Sequence, residues 1–208
     1  MGECWVMTAS GRRFWPLAPR AADVHLEDIA HALAAIARFG GHTRVPYSVA
    51  QHSVLVSREL AAASPVPEVA LIGLLHDAAE AYLGDVPRPL KHSPTYEAYR
   101  EAERRLQGVI YRAFSLQAWA HVEDDQRSGA TRRFLDAWHR RLQLVDRQML
   151  RTEQAQLMPP PAPGEVRDDV APLPLTIEPW SFADARAEFL QTFARLEGDR
   201  RRLREVVS

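Results

Sequence analysis

Val69-Ala-Leu-Ile-Gly-Leu-Leu-His76-Asp77-Ala-Ala-Glu80 places an adjacent His-Asp pair at the end of one of the most apolar runs in the chain. An ionised aspartate withdrawn from water costs several kcal/mol or more unless a cation or a hydrogen-bond network compensates it. The neighbouring histidine carries no fixed charge at neutral pH, so the sequence predicts that Asp77 and its surroundings bind a metal ion. Pro67 opens the helix that carries the pair, and Gly84-Asp-Val-Pro-Arg-Pro-Leu closes it near Leu83 with two prolines.

The segments on either side are helical as well. Upstream, Ser48 is a side-chain cap for a helix carrying Val49, His52, Val56 and Leu60. Before it, Ile29, Leu33 and Ile36 recur at helical spacing from an Asp23 cap to the stop at Gly40-Gly41. Downstream, Tyr96, Tyr99, Leu106 and Ile110 mark a helix over about 95–114, and Leu135, Trp138, Leu142, Val145 and Met149 mark one over 131–157. A proline-dense connector, 158–180, precedes a capping box at Ser181 and Asp184. Phe182, Ala185, Phe189, Phe193 and Leu196 then line one side of a terminal helix over about 181–206. No strand pattern or repeat is evident. The expected class is all-α: one domain over 1–208, with a helical core of about 23–157 and an extended N-terminal arm.

Composition sets bounds. The 208 residues, 46% hydrophobic and 25% charged, suit one well-cored globular domain. Val69 to Leu75 is far short of the roughly 20 apolar residues that span a bilayer, so no membrane partner is expected. The acidic, non-apolar start Met-Gly-Glu-Cys lacks a signal peptide's pattern, which predicts a cytoplasmic address. A single cysteine, Cys4, agrees with a reducing compartment. A net charge of −1 argues against a nucleic-acid polymer as partner, and the arginines between Arg200 and Arg204 read as a solvated helix face.

His52, His76, Asp77 and Asp146 lie on three helices and offer two imidazoles and two carboxylates. That donor set suits one divalent ion, Mn, Co, Zn or Fe, with coordination left for water. In this order the residues resemble the HD-domain metal-dependent phosphohydrolases, whose pattern is a His, a His-Asp pair and a distant Asp. Gln51-His52-Ser53, His76-Asp-Ala-Ala-Glu80, Gly84-Asp85-Val-Pro-Arg-Pro-Leu-Lys91 and Val145-Asp146-Arg-Gln-Met-Leu150 look like the 5′-deoxynucleotidase branch, over roughly residues 26–157.

The resemblance implies an HD-type helical bundle, a homodimer, and release of phosphate from 2′-deoxynucleoside 5′-monophosphates by a metal-activated water. It implies that Glu80 transfers the proton and that Asp85 lines the substrate site. Arg38-Phe39 stands where the similar nucleotidases carry an Arg-Trp pair that grips the nucleotide, and Arg88 and Lys91 are further anion-binding candidates. A related branch that cleaves deoxynucleoside triphosphates shares these ligands. Two further alternatives are a two-iron oxygenase, which would need His92 or His121 for its second ion and carries Lys where Glu80 stands, and a non-enzymatic nucleotide sensor.

Overall fold

A computed structural model describes residues 4–120, 129–160 and 170–207. Among them the chain forms α1 (Leu26–Ala35), α2 (Val49–Ala63), α3 (Pro67–Leu75), α4 (Glu80–Leu83), α5 (Arg88–Lys91), α6 (Glu97–Ala113), α7 (Gly129–Leu157) and α8 (Phe182–Val207). The all-α class expected from the sequence is what is observed. No described helix is long and apolar enough to cross a membrane.

Helix α2 is the centre of the bundle and packs against α1, α3, α7 and α8. It starts where expected, because the Ser48 hydroxyl accepts the Gln51 amide at 3.2 Å and satisfies one of the helix's orphan donors. Helix α3 is buried along almost its whole length, as befits a helix that is apolar all round. Gly73 lets α3 approach α2 closely: a Cβ there would lie 2.6 Å from Leu60 Cδ1 and 3.3 Å from the Ser57 backbone. Gly73→Val is therefore expected to destabilise the protein by about 2 kcal/mol, through overpacking that outweighs its better helix propensity. Thermal or urea denaturation measures this, and unchanged stability would contradict the close approach.

Several boundaries differ from the sequence-based expectation. Asp23 does not cap α1; it sits in a preceding 3-10 turn and accepts from Arg20 Nε at 2.6 Å. His25 occupies the cap position without a side-chain bond. Helix α1 ends at Ala35 rather than at the glycines, because Ile36 turns extended and residues 36–38 bond across to 47–49. Arg38 N donates to Tyr47 O and Val49 N to Ile36 O, each at 3.0 Å. Phe39 then adopts a left-handed φ of 55°, a conformation that costs a β-carbon-bearing residue about 1 kcal/mol.

The helix carrying the His-Asp pair does not run unbroken to Leu83. After α3 the chain passes through a tight turn, with Ala78 N bonded to Leu75 O and Glu80 N to Asp77 O, each at 3.0 Å, and then enters α4. Gln107 of α6 clamps this turn. Its amide nitrogen donates to Leu75 O at 2.6 Å and its oxygen accepts Ala79 N at 3.1 Å, supplying partners that a continuous helix would have provided.

The N-terminal arm is a small hairpin, where no strand was expected: Val6–Met7 pairs antiparallel with Arg13–Phe14. Phe14 is buried with its ring on Tyr82, and buried Asp28 accepts from Ser10 N and Oγ at 2.8 Å each. The described part of the connector is an extended strap held by side-chain amides, because its proline-rich backbone lacks a sheet partner. Gln51 bonds to Glu178 O and Trp180 N, and Gln156 to Leu175 O and Ile177 N. At Ser181 the hydroxyl accepts the Asp184 amide at 3.1 Å, the forward half of the expected capping box, while the Asp184 carboxylate accepts from that hydroxyl at 2.6 Å. On α8, Ala185, Phe189 and Leu196 are buried, whereas Phe182 is exposed and packs edge-on against His31. Arg200 is also not part of a solvated face; it is buried and donates to Phe114 O beyond the C-terminus of α6.

Candidate metal centre

Three elements deliver the expected ligands to one place. His52 comes from the middle of α2, His76 and Asp77 from the clamped turn after α3, and Asp146 from α7. The two imidazole Nε2 atoms are 3.3 Å apart. Asp146 Oδ1 is 3.3 Å from His52 Nε2 and 3.8 Å from His76 Nε2. Asp77 Oδ2 is 3.2 Å from His76 Nε2 and 3.7 Å from His52 Nε2. One ligand atom each from His52, His76 and Asp146 lies within 4.8 Å of the others, so these three form a group able to hold a metal ion.

The partners of the two Nδ1 atoms strengthen that reading. His76 Nδ1 lies 2.8 Å from the Gly73 carbonyl oxygen, which can only accept, so the imidazole donates there. His52 Nδ1 lies 2.6 Å from Glu153 Oε1 and donates to that carboxylate. Each ring thus spends its Nδ1–H away from the centre, and in the neutral state both bare Nε2 lone pairs face each other beside two carboxylate oxygens. Such an arrangement favours a positive charge, which a proton on His52 supplies in the metal-free protein and which a metal ion could supply in its place. The separations among His52, His76 and Asp146, 3.3 to 3.8 Å, would suit three ligands of one ion, and Asp77 stands outside that group, beside the two imidazoles.

Electrostatics agree. Burial and the Arg38 charge push the His52 imidazole down, but Glu153 and Asp146 outweigh them and raise it to about 9. Burial would raise Asp146; hydrogen bonds from His52 and His76 instead hold it well below the ordinary carboxylate range. Asp146 is 37% exposed and sits at the mouth, whereas His52 is fully buried at the floor.

Arg38 is drawn into the centre by its carboxylates. Its guanidinium donates from Nε and Nη2 to Glu153 Oε2 at 3.1 and 3.0 Å, and Nη1 is 3.6 Å from Asp77 Oδ2. The fixed positive charge that the His-Asp dipeptide lacks is therefore Arg38, brought from the loop after α1. A guanidinium so engaged forms part of the floor of the centre. Phe39 is half-buried with its ring 5.7 Å from that guanidinium.

Glu80 is buried in α4, with Oε1 3.9 Å from Lys91 Nζ and Oε2 without a hydrogen-bond partner. Burial first, then Asp77 and Asp85, raises its carboxyl to about 10. Asp85 is half-buried and raised by burial and by Asp77, against the opposing charges of Arg38 and Lys91. Glu80, Asp85 and Lys91 thus share one electrostatic neighbourhood with the ligands. Lys91 also donates to Glu103 Oε1 at 2.5 Å. Arg88, at the start of α5, is exposed and outside this network. His92 is exposed beyond α5 and not grouped with the ligands, and His121 lies outside the described residues.

Glu153 and Tyr47 escaped the sequence reading. Glu153 is fully buried, and its carboxylate also accepts from the Tyr47 hydroxyl at 2.9 Å. Burial would raise Glu153, but Arg38 and His52 hold it below its usual value. A signal was present: Glu153 follows Asp146 by two helical turns, on the stripe of Leu142, Val145 and Met149.

The chain is similar to an uncharacterized protein of Rhodobacter capsulatus, 41% identical over 122 residues that cover 57% of this chain and 62% of the relative. It is also similar to the uncharacterized protein YfdR of Escherichia coli, 39% identical over 113 residues, 54% of this chain and 59% of the relative. The chain thus spans about three-fifths of the length of these curated relatives. No family model matches it.

Proposed function

We propose that this protein is a metal-dependent phosphohydrolase acting on nucleotides, releasing phosphate from 2′-deoxynucleoside 5′-monophosphates. The observation that carries the reading is the pair of Nε2 lone pairs converging 3.3 Å apart with Asp146 at an accessible mouth. The ordered motifs of the HD-domain deoxynucleotidases, from His52 to Asp146, support the substrate class. A divalent ion, Mn, Co, Zn or Fe, held by His52, His76, Asp77 and Asp146 would supply Lewis acidity toward a phosphoryl oxygen and lower the pKa of water.

The protein's own groups do the rest. Glu80, whose Oε2 has no protein partner, is the proton carrier. Lys91 offsets negative charge gathering beside Glu80 and Asp85, while Asp85 borders the substrate. Arg38 is held by Glu153 and lends its field to Asp77 without leaving the floor. Phe39, on the half-exposed loop beside it, offers an apolar wall to the nucleoside.

Purified protein loaded in turn with each of the four metals tests this reading on deoxy- and ribonucleoside mono- and triphosphates. Phosphate release from deoxynucleoside monophosphates is expected. Cleavage of triphosphates with monophosphates untouched would replace the substrate, and no release from any nucleotide by metal-loaded protein would overturn the hydrolase.

A further inference from the structure

We propose that Glu153 is the positioning residue of the metal centre: a single buried carboxylate that aims His52 at the cation and, through Arg38, fixes the flank of Asp77. The proposal rests on the metal-centre reading and extends it to a residue that binds no ion itself.

Both oxygens of Glu153 are fully used. Oε1 lies 2.6 Å from His52 Nδ1 and 2.9 Å from the Tyr47 hydroxyl, and Oε2 accepts from two nitrogens of Arg38 at 3.0 and 3.1 Å. An imidazole can offer a lone pair at only one nitrogen when the other is protonated. Donation of His52 Nδ1–H to a carboxylate therefore settles which nitrogen faces the ion and fixes the ring plane, and the adjacent negative charge makes Nε2 a better donor.

His76 provides an internal contrast, because its Nδ1–H meets a neutral backbone carbonyl at Gly73. Of the two imidazoles, only His52 is backed by a formal charge. Glu153 also reaches a second ligand: the guanidinium it holds places Nη1 3.6 Å from Asp77 Oδ2. Since Glu153 and Asp146 share α7, one helix supplies a ligand directly and orients two others carried by α2 and by the turn after α3. The Arg38 charge balances that of Glu153, so the pair orients the ligands without adding net charge beneath the site.

The test uses the full chain and Co(II) as probe. Glu153→Gln keeps the side-chain size, but its amide can accept on one side only, so either His52 or Arg38 meets a donor. Affinity for Co(II), measured by calorimetric titration, is expected to fall about 10- to 100-fold, with altered visible bands of the bound ion. Glu153→Asp, which keeps the charge, is expected to recover part of the loss. A folded Glu153→Gln protein with wild-type affinity and bands overturns the proposal, even if its melting temperature falls, because a merely structural carboxylate would behave so.

A second readout needs no variant. In Zn-loaded wild-type protein, long-range proton–nitrogen correlation should show His52 protonated at Nδ1 and coordinating through Nε2; coordination through Nδ1 overturns the proposal. Wild-type protein that binds none of Co(II), Mn(II) and Zn(II) would instead overturn the metal-centre reading itself, so the two failures are distinct.

Discussion

Asp146→Ala is expected to weaken divalent-metal binding by at least about a hundredfold while leaving a folded protein, a larger effect than the 10- to 100-fold typical of groups behind the ligands. The separation of the two effects follows from position. Asp146 is partly exposed and lies against the two imidazole Nε2 atoms, so its removal opens no core cavity, and Arg38 keeps Glu153 and Asp77 as partners. Asp77→Ala is less clean, because it also takes a partner from Arg38.

A bound ion at 100 times its dissociation constant stabilises the folded state by about 2.7 kcal/mol, so added metal should raise the wild-type melting temperature clearly. Asp146→Ala should lose that rise. A variant that still gains stability from Mn, Co or Zn as the wild type does would move the ion to some other site.

Glu80→Gln is expected to lower turnover by at least about a hundredfold, with metal affinity retained within a few-fold. In the metal-free protein the same change is expected to raise stability, by about 1 kcal/mol. The sign follows from linkage. The Glu80 carboxyl is raised to about 10 by burial and by Asp77 and Asp85, so folding at neutral pH must take up a proton. A carboxylate raised in this way costs stability at every pH above its unfolded value, and the cost grows until the pH passes the folded value. Glutamine is the neutral isostere and carries no such cost. Kinetics together with denaturation of the metal-free protein check both halves; full turnover in the variant would take the proton-transfer role away from Glu80.

The parts of this protein that were legible in the sequence are those settled within a few residues. Ser48 caps α2 because its hydroxyl reaches an amide three positions on, and Pro67 starts α3 because its fixed φ suits a first turn. The Ser181 cap on the Asp184 amide reads the same way. The His-Asp dipeptide pointed to the centre because a carboxylate at the end of so apolar a run needs a cation wherever the rest of the chain lies. The break at His76 was less visible, since it depends on Gln107, 32 residues away from the Leu75 carbonyl it satisfies.

By itself, then, the sequence determined the helical class, most of the helix starts and the candidate ligand residues, since these follow from local sterics, periodicity and the cost of burying charge. The tertiary structure alone decided how those donors are held. Glu153 meets His52 across 101 positions and Arg38 across 115, and such pairings leave no periodic trace in a chain. Whether Arg38 reaches outward for a substrate or inward for a buried carboxylate is set by which helix packs beneath it, a free-energy balance that exists only once α2 and α7 have come together.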